Sequence, residues 1–378
     1  MTHRIIILGA GYSGLAAAKR MARRLRGRDI ALTVVNATER FVERVRLHQL
    51  AAGQNLSARP IREILSGTGG MLVVARVTSI DLSRRTVQLD TAPYELAYDI
   101  LVNALGSGAD SETVPGVGDH AYSVAEASQA ARLASRLTDC PKGSTLAVVG
   151  GGLTGIETAT ELAEAHPDLR VQLVTAGRFG GWLSQSAQHH LHRSVAVRTI
   201  DLHDQLCVDR IRADGLVLED GRELSSEVVV WAAGFRAPPV ARDAGLAVDE
   251  RGRMIVDTAL RSVSHPDVYG IGDAAAAPGP GELTTRMSCQ TGLPMGMFAA
   301  DAVARRLTGH ATKPVRIRYV WQNISLGRRD GITQFTRPDD SPIAAVLTGR
   351  SAARFKESVT RGAALAVRHP GPYTQRWE

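Results

Sequence analysis

Two glycine-rich turns of the same spacing constrain the fold of this chain more than any other feature. Their glycines are Gly9, Gly11 and Gly14 in the first turn, and Gly150, Gly152 and Gly155 in the second. Each turn follows a short apolar run and precedes an alanine-rich stretch, which predicts a buried parallel strand, a tight turn and a helix. In this arrangement the backbone can approach a pyrophosphate, and the helix N-terminus attracts its charge. The pair therefore predicts two dinucleotide-binding units in one chain.

The order of predicted elements repeats between residues 9–106 and 150–234. Each half reads glycine turn, strand–helix–strand, short antiparallel strands and an apolar strand that ends at a glycine, Gly106 or Gly234. In the first half we expect residues 71–80 and 86–89 to form the antiparallel strands. The repeat indicates an internal structural duplication.

The predicted fold class is α/β, with two Rossmann-like (three-layer ββα) dinucleotide-binding domains and a C-terminal α+β segment. After the second half, an apolar strand returns and runs into Gly272 and Asp273. We therefore expect the first domain to be discontinuous. The expected boundaries are 1–115 with 245–310 for the first domain, 116–244 for the second, and 311–378 for the C-terminal segment.

Composition narrows the classes of protein to which the chain can belong. The net charge of +7 is spread along 378 residues without a basic block, so no nucleic-acid partner is expected. Cys140, Cys207 and Cys289 lie far apart, which leaves no disulfide framework and no redox pair of adjacent cysteines. No metal site is predicted. Without a charged leader or a run of about 18 apolar residues, a cytoplasmic protein is expected.

Together these motifs resemble the two-dinucleotide-binding flavoprotein superfamily, and most closely the type II NADH dehydrogenases, over residues 4 to about 358. The resemblance implies that the first glycine turn binds the FAD pyrophosphate and the second a nicotinamide dinucleotide. The residues so assigned to FAD are Gly9, Gly11, Gly14, Gly106, Gly272 and Asp273, and those assigned to the nicotinamide dinucleotide are Gly150, Gly152, Gly155 and Gly234. Lys356 and Glu357 also match that family's C-terminal signature.

The ends of two strands depart from the usual pattern, in which a carboxylate binds the ribose hydroxyls. Asn36 stands at that place in the first half, where its amide can still bond the FAD ribose. Thr175 stands there in the second half, followed by Arg178. A hydroxyl and an arginine favour a 2′-phosphate, so we predict NADPH over NADH. The alternative is that Arg178 is one of many solvated arginines.

Two residues are assigned to the reaction itself. Glu157 matches the acid that follows the second glycine turn in the family. We expect it to orient the nicotinamide or to exchange protons. The alternative is that Glu157 is only an acid near a helix N-terminus, stabilised by the helix dipole. Gln290 matches the first of two glutamines that line the family's quinone channel, beside the flavin. The second glutamine is replaced by Pro294, which puts a quinone acceptor in doubt.

Several polar residues near these motifs have two interpretations. Cys289 is interpreted as a buried, inert thiol rather than a reactive one. His48 falls where disulfide reductases of the superfamily place redox cysteines, and since no cysteine stands there no dithiol relay is expected. Arg44, Arg46 and His48 face either the flavin or an anionic substrate, or, as the favoured interpretation, the solvent.

Three functions remain open at this stage. The first is an FAD-dependent oxidoreductase that takes hydride from NADPH or NADH and passes electrons to a quinone or another small acceptor. The second is a soluble flavoprotein that reduces a biosynthetic intermediate or an electron-transfer protein. The third is an NAD(P)H-binding flavoprotein with little turnover, acting as a redox-dependent partner. The basic tail, with Trp377, offers only a thin apolar face, so peripheral contact with the inner membrane face is not favoured, and a homo-oligomer stays open.

Overall fold

Two five-stranded parallel sheets form the centres of the structure, a computed structural model that describes residues 2–281 and 283–370. The first sheet has the strand order Val268–Gly270, Ile100–Asn103, His3–Leu8, Ile30–Asn36, Met71–Val74. The second has the order Ala121–Ser123, Val228–Trp231, Thr145–Val149, Arg170–Thr175, Asp201–Asp204. The predicted α/β class is confirmed, and so is the discontinuity of the first unit, because its outermost strand comes from residues 268–270.

The central strands read as apolar runs because both of their faces are covered. Ile5 and Ile7 have no solvent-accessible surface, and Leu146 and Val148 at the matching places of the second sheet have 1% and 0%. Helices cover these faces; at about 25 cal/mol per Å² of apolar surface, this burial is the main stabilising contribution.

The helices run through both halves and the C-terminal part. The α-helices are Tyr12–Arg24, Leu47–Ala51, Ile61–Leu65, Val117–His120, Ala127–Thr138, Leu153–Ala165, Gln185–Val197, Val240–Asp243, Cys289–Leu307 and Gly349–Arg368, and the 3₁₀ helices are Arg44–Arg46 and Gly272–Ala274. Tyr12–Arg24 and Leu153–Ala165 begin directly after the glycine turns, and we call them the first and second fingerprint helices.

Each half also carries a three-stranded antiparallel sheet, but the first one differs from expectation. Its strands are Val77–Asp81, Thr86–Leu89 and Glu95–Ala97, and those of its counterpart are Val208–Arg212, Gly215–Leu218 and Glu223–Ser225. The expected continuous strand over 71–80 is wrong, because Met71–Val74 pairs in parallel with Ile30–Asn36. The chain changes sheets between Val74 and Val77, and alternation of side chains does not distinguish the two environments.

A short antiparallel ladder joins the two halves. Gly108–Ala109 follows the first crossover strand and pairs with Phe235–Arg236, which follows the second, with Gly108 opposite Arg236. Arg236 reinforces the junction through an ion pair with Asp110 at 3.3 Å. Two further pairs of short strands are Met254–Ile255 with Ala275–Ala276 and Arg40–Phe41 with Arg59–Pro60.

The C-terminal part is a three-stranded antiparallel sheet covered by one long helix. The strands are Trp321–Ser325, Gly331–Thr336 and Pro342–Thr348, and the helix, Gly349–Arg368, is called the C-terminal helix below. Phe355 anchors it with ring centroids 5.3 Å from Trp321 and 6.4 Å from Phe335. The end of the tail, with Trp377, lies outside the described residues. Within those residues, none of the helices is long and apolar enough to cross a membrane.

Candidate active site

A cavity of about 1080 Å³ opens between the two glycine turns and the C-terminal part. Both turns and both crossover ends reach its wall. The predicted site residues that line it are Gly11, Gly106, Gly150, Gly152, Glu157, Thr175, Arg178, Gly234, Gly272, Asp273 and Gln290. The structure thus gathers residues from most of the chain around one space.

The predicted residues that do not line the cavity pack the glycine turns. A Cβ on Gly14 would lie 2.0 Å from the Gly9 carbonyl oxygen, and one on Gly155 would lie 1.8 Å from that of Gly150. Gly9 has φ +99°, and a Cβ there would lie 2.3 Å from the Ala104 oxygen. These glycines let helix and strand approach each other closely.

The second glycine of each turn is open instead. A Cβ added at Gly11 or Gly152 would meet no atom within 4 Å, and both residues face the cavity. Each is the N-cap of its fingerprint helix, with no side-chain cap and no acid in the first turn. Free N–H groups, a positive dipole end and open space fit one pyrophosphate at each turn.

Asp273 lies on the first side of the cavity in a small polar cluster. Its carboxylate accepts a hydrogen bond from Ser107 Oγ at 2.9 Å and lies 3.6 Å from the guanidinium of Arg44. Arg44 lies 5.1 Å over the ring of Phe235, and burial lowers its pKa. Asn36 is not among the residues of the cavity wall; its Oδ1 accepts the N–H of Ala10 at 2.9 Å, and this hydrogen bond stabilises the first glycine turn.

Thr175 and Arg178 line the second side. Thr175 is 4% exposed, and its hydroxyl donates to the Gly177 carbonyl at 3.0 Å, shaping the loop that follows the strand. Arg178 is exposed at the cavity wall. Among residues 2–281 and 283–370, no carboxylate lies within ion-pair distance of its guanidinium.

Glu157 takes part in a buried cluster at the point where the second fingerprint helix meets the C-terminal helix. Its Oε1 accepts hydrogen bonds from Lys356 Nζ and from the backbone N–H of Ser325, the latter at 3.1 Å. Lys356 also donates to Ser325 Oγ at 3.1 Å. Burial lowers the pKa of the Lys356 ammonium to about 7, with Arg46 acting in the same direction, whereas the charge of Glu357 acts in the opposite direction.

His48 completes this cluster, which corrects the favoured interpretation of its segment. His48 is 4% exposed and Arg46 is inside a bidentate pair with Glu357, both bonds at 2.9 Å. The helices Ala127–Thr138 and Leu153–Ala165 pack on the segment that was expected to be solvated, and the C-terminal helix supplies the partner of Arg46. Burial, followed by the nearby cations Lys356, Arg328 and Arg46, lowers the pKa of His48 well below its usual value, so the ring is neutral.

Cys289 and Gln290 begin the helix Cys289–Leu307, and both line the cavity. Burial raises the pKa of the Cys289 thiol to about 11, with Asp273 acting in the same direction. The thiol is therefore protonated at neutral pH, as a non-nucleophilic residue would be. Pro294 lies inside this helix and has no N–H, so the Gln290 carbonyl lacks its helical partner.

The remaining wall of the cavity is mainly apolar. It is formed by the C-terminal helix, the helix Cys289–Leu307 and the segment that leads into the C-terminal sheet. Its larger side chains are Leu293, Met297, Val320, Trp321 and Val359. Within the described residues, no group of three or more metal-ligating side chains is present.

Two open glycine turns on separate parallel sheets, facing one cavity, define an FAD-dependent oxidoreductase that uses a nicotinamide dinucleotide. The chain belongs to the pyridine nucleotide-disulphide oxidoreductase family, whose model matches residues 3–296. It is 31% identical over 343 residues to an NADH dehydrogenase-like protein of Mycobacterium tuberculosis, covering 86% of each chain. It is 26% identical over 360 residues to the type II NADH:quinone oxidoreductase of Staphylococcus epidermidis, covering 87% of this chain and 89% of the relative.

Solved structures share the fold over nearly the whole chain. The sulfide:quinone oxidoreductase from Aquifex aeolicus superposes with a TM-score of 0.83 at 19% identity, covering 99% of this chain and 94% of its own. NDH2 from Plasmodium falciparum, solved with NADH, gives 0.79 at 14% identity and covers 100% and 99%. At these identities the likeness shows the fold alone.

Proposed function

We propose that this enzyme takes hydride from NADPH in preference to NADH and reduces a quinone in the apolar part of the cavity. The observation that supports the acceptor part of the proposal is the buried contact between Glu157 and Lys356. We infer that the two residues exchange protons on the wall of a cavity that also contains both glycine turns and an apolar part lined by Leu293, Met297 and Trp321, called the apolar chamber below.

The residues of the chain hold the cofactors and the proton. FAD, when bound along Gly11 and Asp273, supplies a two-electron carrier between nicotinamide and acceptor. Gly152 and the second fingerprint helix hold the nicotinamide dinucleotide by its pyrophosphate. Glu157 and Lys356 lie on the cavity wall. Because the pKa of Lys356 is near neutrality, this side chain can both give and recover a proton.

A quinone suits the apolar chamber by its chemistry. Its ring is matched by Trp321, Leu293 and Met297, and its two oxygens need donors on a mostly apolar wall. The Staphylococcus epidermidis relative is named for quinone reduction, which supports this acceptor. Pro294 removes one polar contact expected in quinone reductases, and Gln290 retains the other.

NADPH preference rests on the second side of the cavity. The strand Arg170–Thr175 ends without a carboxylate, so nothing there repels a 2′-phosphate. Arg178 is exposed at the wall and can form a charge-assisted, bidentate contact with such a phosphate.

We propose that electrons pass without a redox disulfide. Cys140, Cys207 and Cys289 are free, and Cys289 alone lines the cavity among these three. Its raised pKa keeps the thiol protonated, which disfavours the thiolate chemistry of a dithiol relay.

Steady-state kinetics with menadione as acceptor tests the proposal. We expect kcat/KM to be at least tenfold higher for NADPH than for NADH. Arg178→Ala should reduce that ratio about tenfold, which corresponds to roughly 1.4 kcal/mol for a charge-assisted hydrogen bond. Arg193→Ala, an exposed arginine of the helix Gln185–Val197 outside the cavity wall, is the matched control.

Two results would contradict parts of the proposal. A tenfold preference for NADH would remove the assignment of Arg178. Anaerobic bleaching of the flavin at well below once per minute would instead favour a redox-dependent binding protein over an enzyme.

A further inference from the structure

His48 lies between Ser325, which bonds Lys356, and Glu157. Its Nε2 is 3.4 Å from Ser325 Oγ, and its Nδ1 is 3.9 Å from Glu157 Oε2. Ser325 Oγ in turn accepts from Lys356 Nζ at 3.1 Å. Hydrogen bonds run from Glu157 through Lys356 and Ser325 to His48, and the last contact, from His48 to Glu157, is at ion-pair distance only; these four side chains are called the circuit below.

The circuit is buried and is assembled from four separate elements. His48 is 4% exposed and Ser325 is 7% exposed. Charged groups face His48 from every side: Glu157 from the second fingerprint helix, Lys356 from the C-terminal helix, Arg328 from the turn after Ser325, and Arg46 from its own segment. A neutral imidazole in such a place accepts a proton at one nitrogen while it gives one from the other.

The proposed reaction needs such a route for one proton in every turnover. Reduction of a quinone to its hydroquinone takes up two electrons and two protons. Hydride from NADPH carries both electrons and one proton, and leaves NADP⁺. The second proton comes from solvent and has to reach an apolar chamber.

We propose that His48 and Ser325 form a relay that returns a proton to the Glu157–Lys356 pair after each reduction of the acceptor. His48 is a positioning residue in this scheme, since it acts through Ser325 and Glu157. The inference rests on the proposed function, because it requires an acceptor that takes up protons.

The test compares two acceptors in the FAD-loaded enzyme. Menadione takes up protons on reduction, whereas ferricyanide takes up electrons only. We expect His48→Gln and Ser325→Ala to lower the ratio of menadione to ferricyanide turnover at least fivefold at pH 8. This loss in the turnover ratio should become smaller towards pH 6, because direct delivery of protons from solvent improves as the proton concentration rises. His189→Gln, an exposed histidine on the helix Gln185–Val197, is the matched control.

A second measurement reads the arrangement without turnover. Carbon-13 NMR of the histidine rings in the FAD-loaded protein follows the ionisation of His48, assigned by the loss of its signal in His48→Gln. Because the Lys356 ammonium disfavours the imidazolium, Lys356→Met should raise the pKa of His48 towards its ordinary range.

Each outcome decides the inference. An unchanged acceptor ratio, an equal loss with both acceptors at every pH, or a His48 ionisation that Lys356→Met does not move would overturn the relay. If neither nucleotide reduces the flavin of the wild type, the proposed function fails, and the NMR measurement alone decides whether the circuit exists.

Discussion

The second glycine of each glycine turn has open space around its α-carbon, unlike the first and third glycines. Gly11 and Gly152 have extended backbone with φ −75° and −77°, which alanine adopts without strain. We therefore expect Gly11→Ala to leave the FAD-free protein as stable as the wild type or up to about 1 kcal/mol more stable. Its added methyl group occupies the space predicted for the pyrophosphate, so the flavin content after purification should fall severalfold. Absorbance at 450 nm and urea denaturation check the two effects.

Gly14→Ala is the matched control for this prediction. Its methyl group would lie 2.0 Å from a backbone oxygen, so we expect a loss of about 3 kcal/mol in the free energy of unfolding. Equal destabilisation by both substitutions would show that Gly11 is also a packing residue.

Cys289 gives a prediction about reactivity. Because burial raises the pKa of its thiol to about 11, the thiolate fraction near pH 7.5 is about a hundredfold lower than for an ordinary thiol. Alkylation by iodoacetamide should therefore be slow in the native protein and accelerate as the pH rises. Peptide mapping by mass spectrometry resolves Cys289 from Cys140 and Cys207. Rapid modification of Cys289 at neutral pH would reopen a catalytic role for this thiol.

At the scale of elements, the C-terminal helix is held to the first half by Arg46 and Glu357. Burial raises the pKa of Glu357, but Arg46 and Arg361 outweigh it and hold the net pKa below its usual value. The pair therefore contributes stability above the ordinary carboxyl pKa and loses it as the pH falls below that value. Arg46→Met should cost about 2 kcal/mol at pH 7, less than a fully buried pair because Glu357 is 32% exposed.

Urea denaturation at several pH values checks this prediction. The difference between wild type and Arg46→Met should stay constant from pH 7 to about pH 5 and shrink as the pH falls below the ordinary carboxyl pKa of 4.5 towards pH 3. Arg361 bonds the same carboxylate but is 77% exposed, so Arg361→Met should stay within about 0.5 kcal/mol of the wild type. A pH-independent difference for Arg46→Met would assign its effect to packing alone.

Local patterns predicted what lies within one element, and they failed where distant elements meet. Glu157 was accessible to sequence reasoning because it follows its glycine turn by two residues. Lys356 is 199 residues from Glu157, and His48 is 277 from Ser325, so only the packing of the C-terminal helix and of the strand Trp321–Ser325 reveals these contacts. The C-terminal helix also supplies the partner of Arg46, whose local sequence is that of a solvated face. The match of Lys356 and Glu357 to the family signature was the one local sign of this contact.

At the scale of the whole molecule, the cavity links the stability of both halves to their ligands. A ligand present at 100 times its Kd stabilises the folded state by about 2.7 kcal/mol. We expect thermal melting of the FAD-loaded protein to rise further when NADPH is added, and this second increment to vanish in Gly152→Ala. The response of that variant to FAD should persist. If Gly152→Ala keeps its response to NADPH, the second turn does not hold the nucleotide.

The ladder between Gly108–Ala109 and Phe235–Arg236 has a consequence for symmetry. Gly108 and Arg236 each stand two residues beyond the glycine that ends their crossover strand, and they pair with each other. Antiparallel pairing centred on corresponding positions is how two identical subunits meet across a twofold axis. At this ladder the duplicated halves of one chain therefore meet as the subunits of an isologous dimer do at their twofold axis.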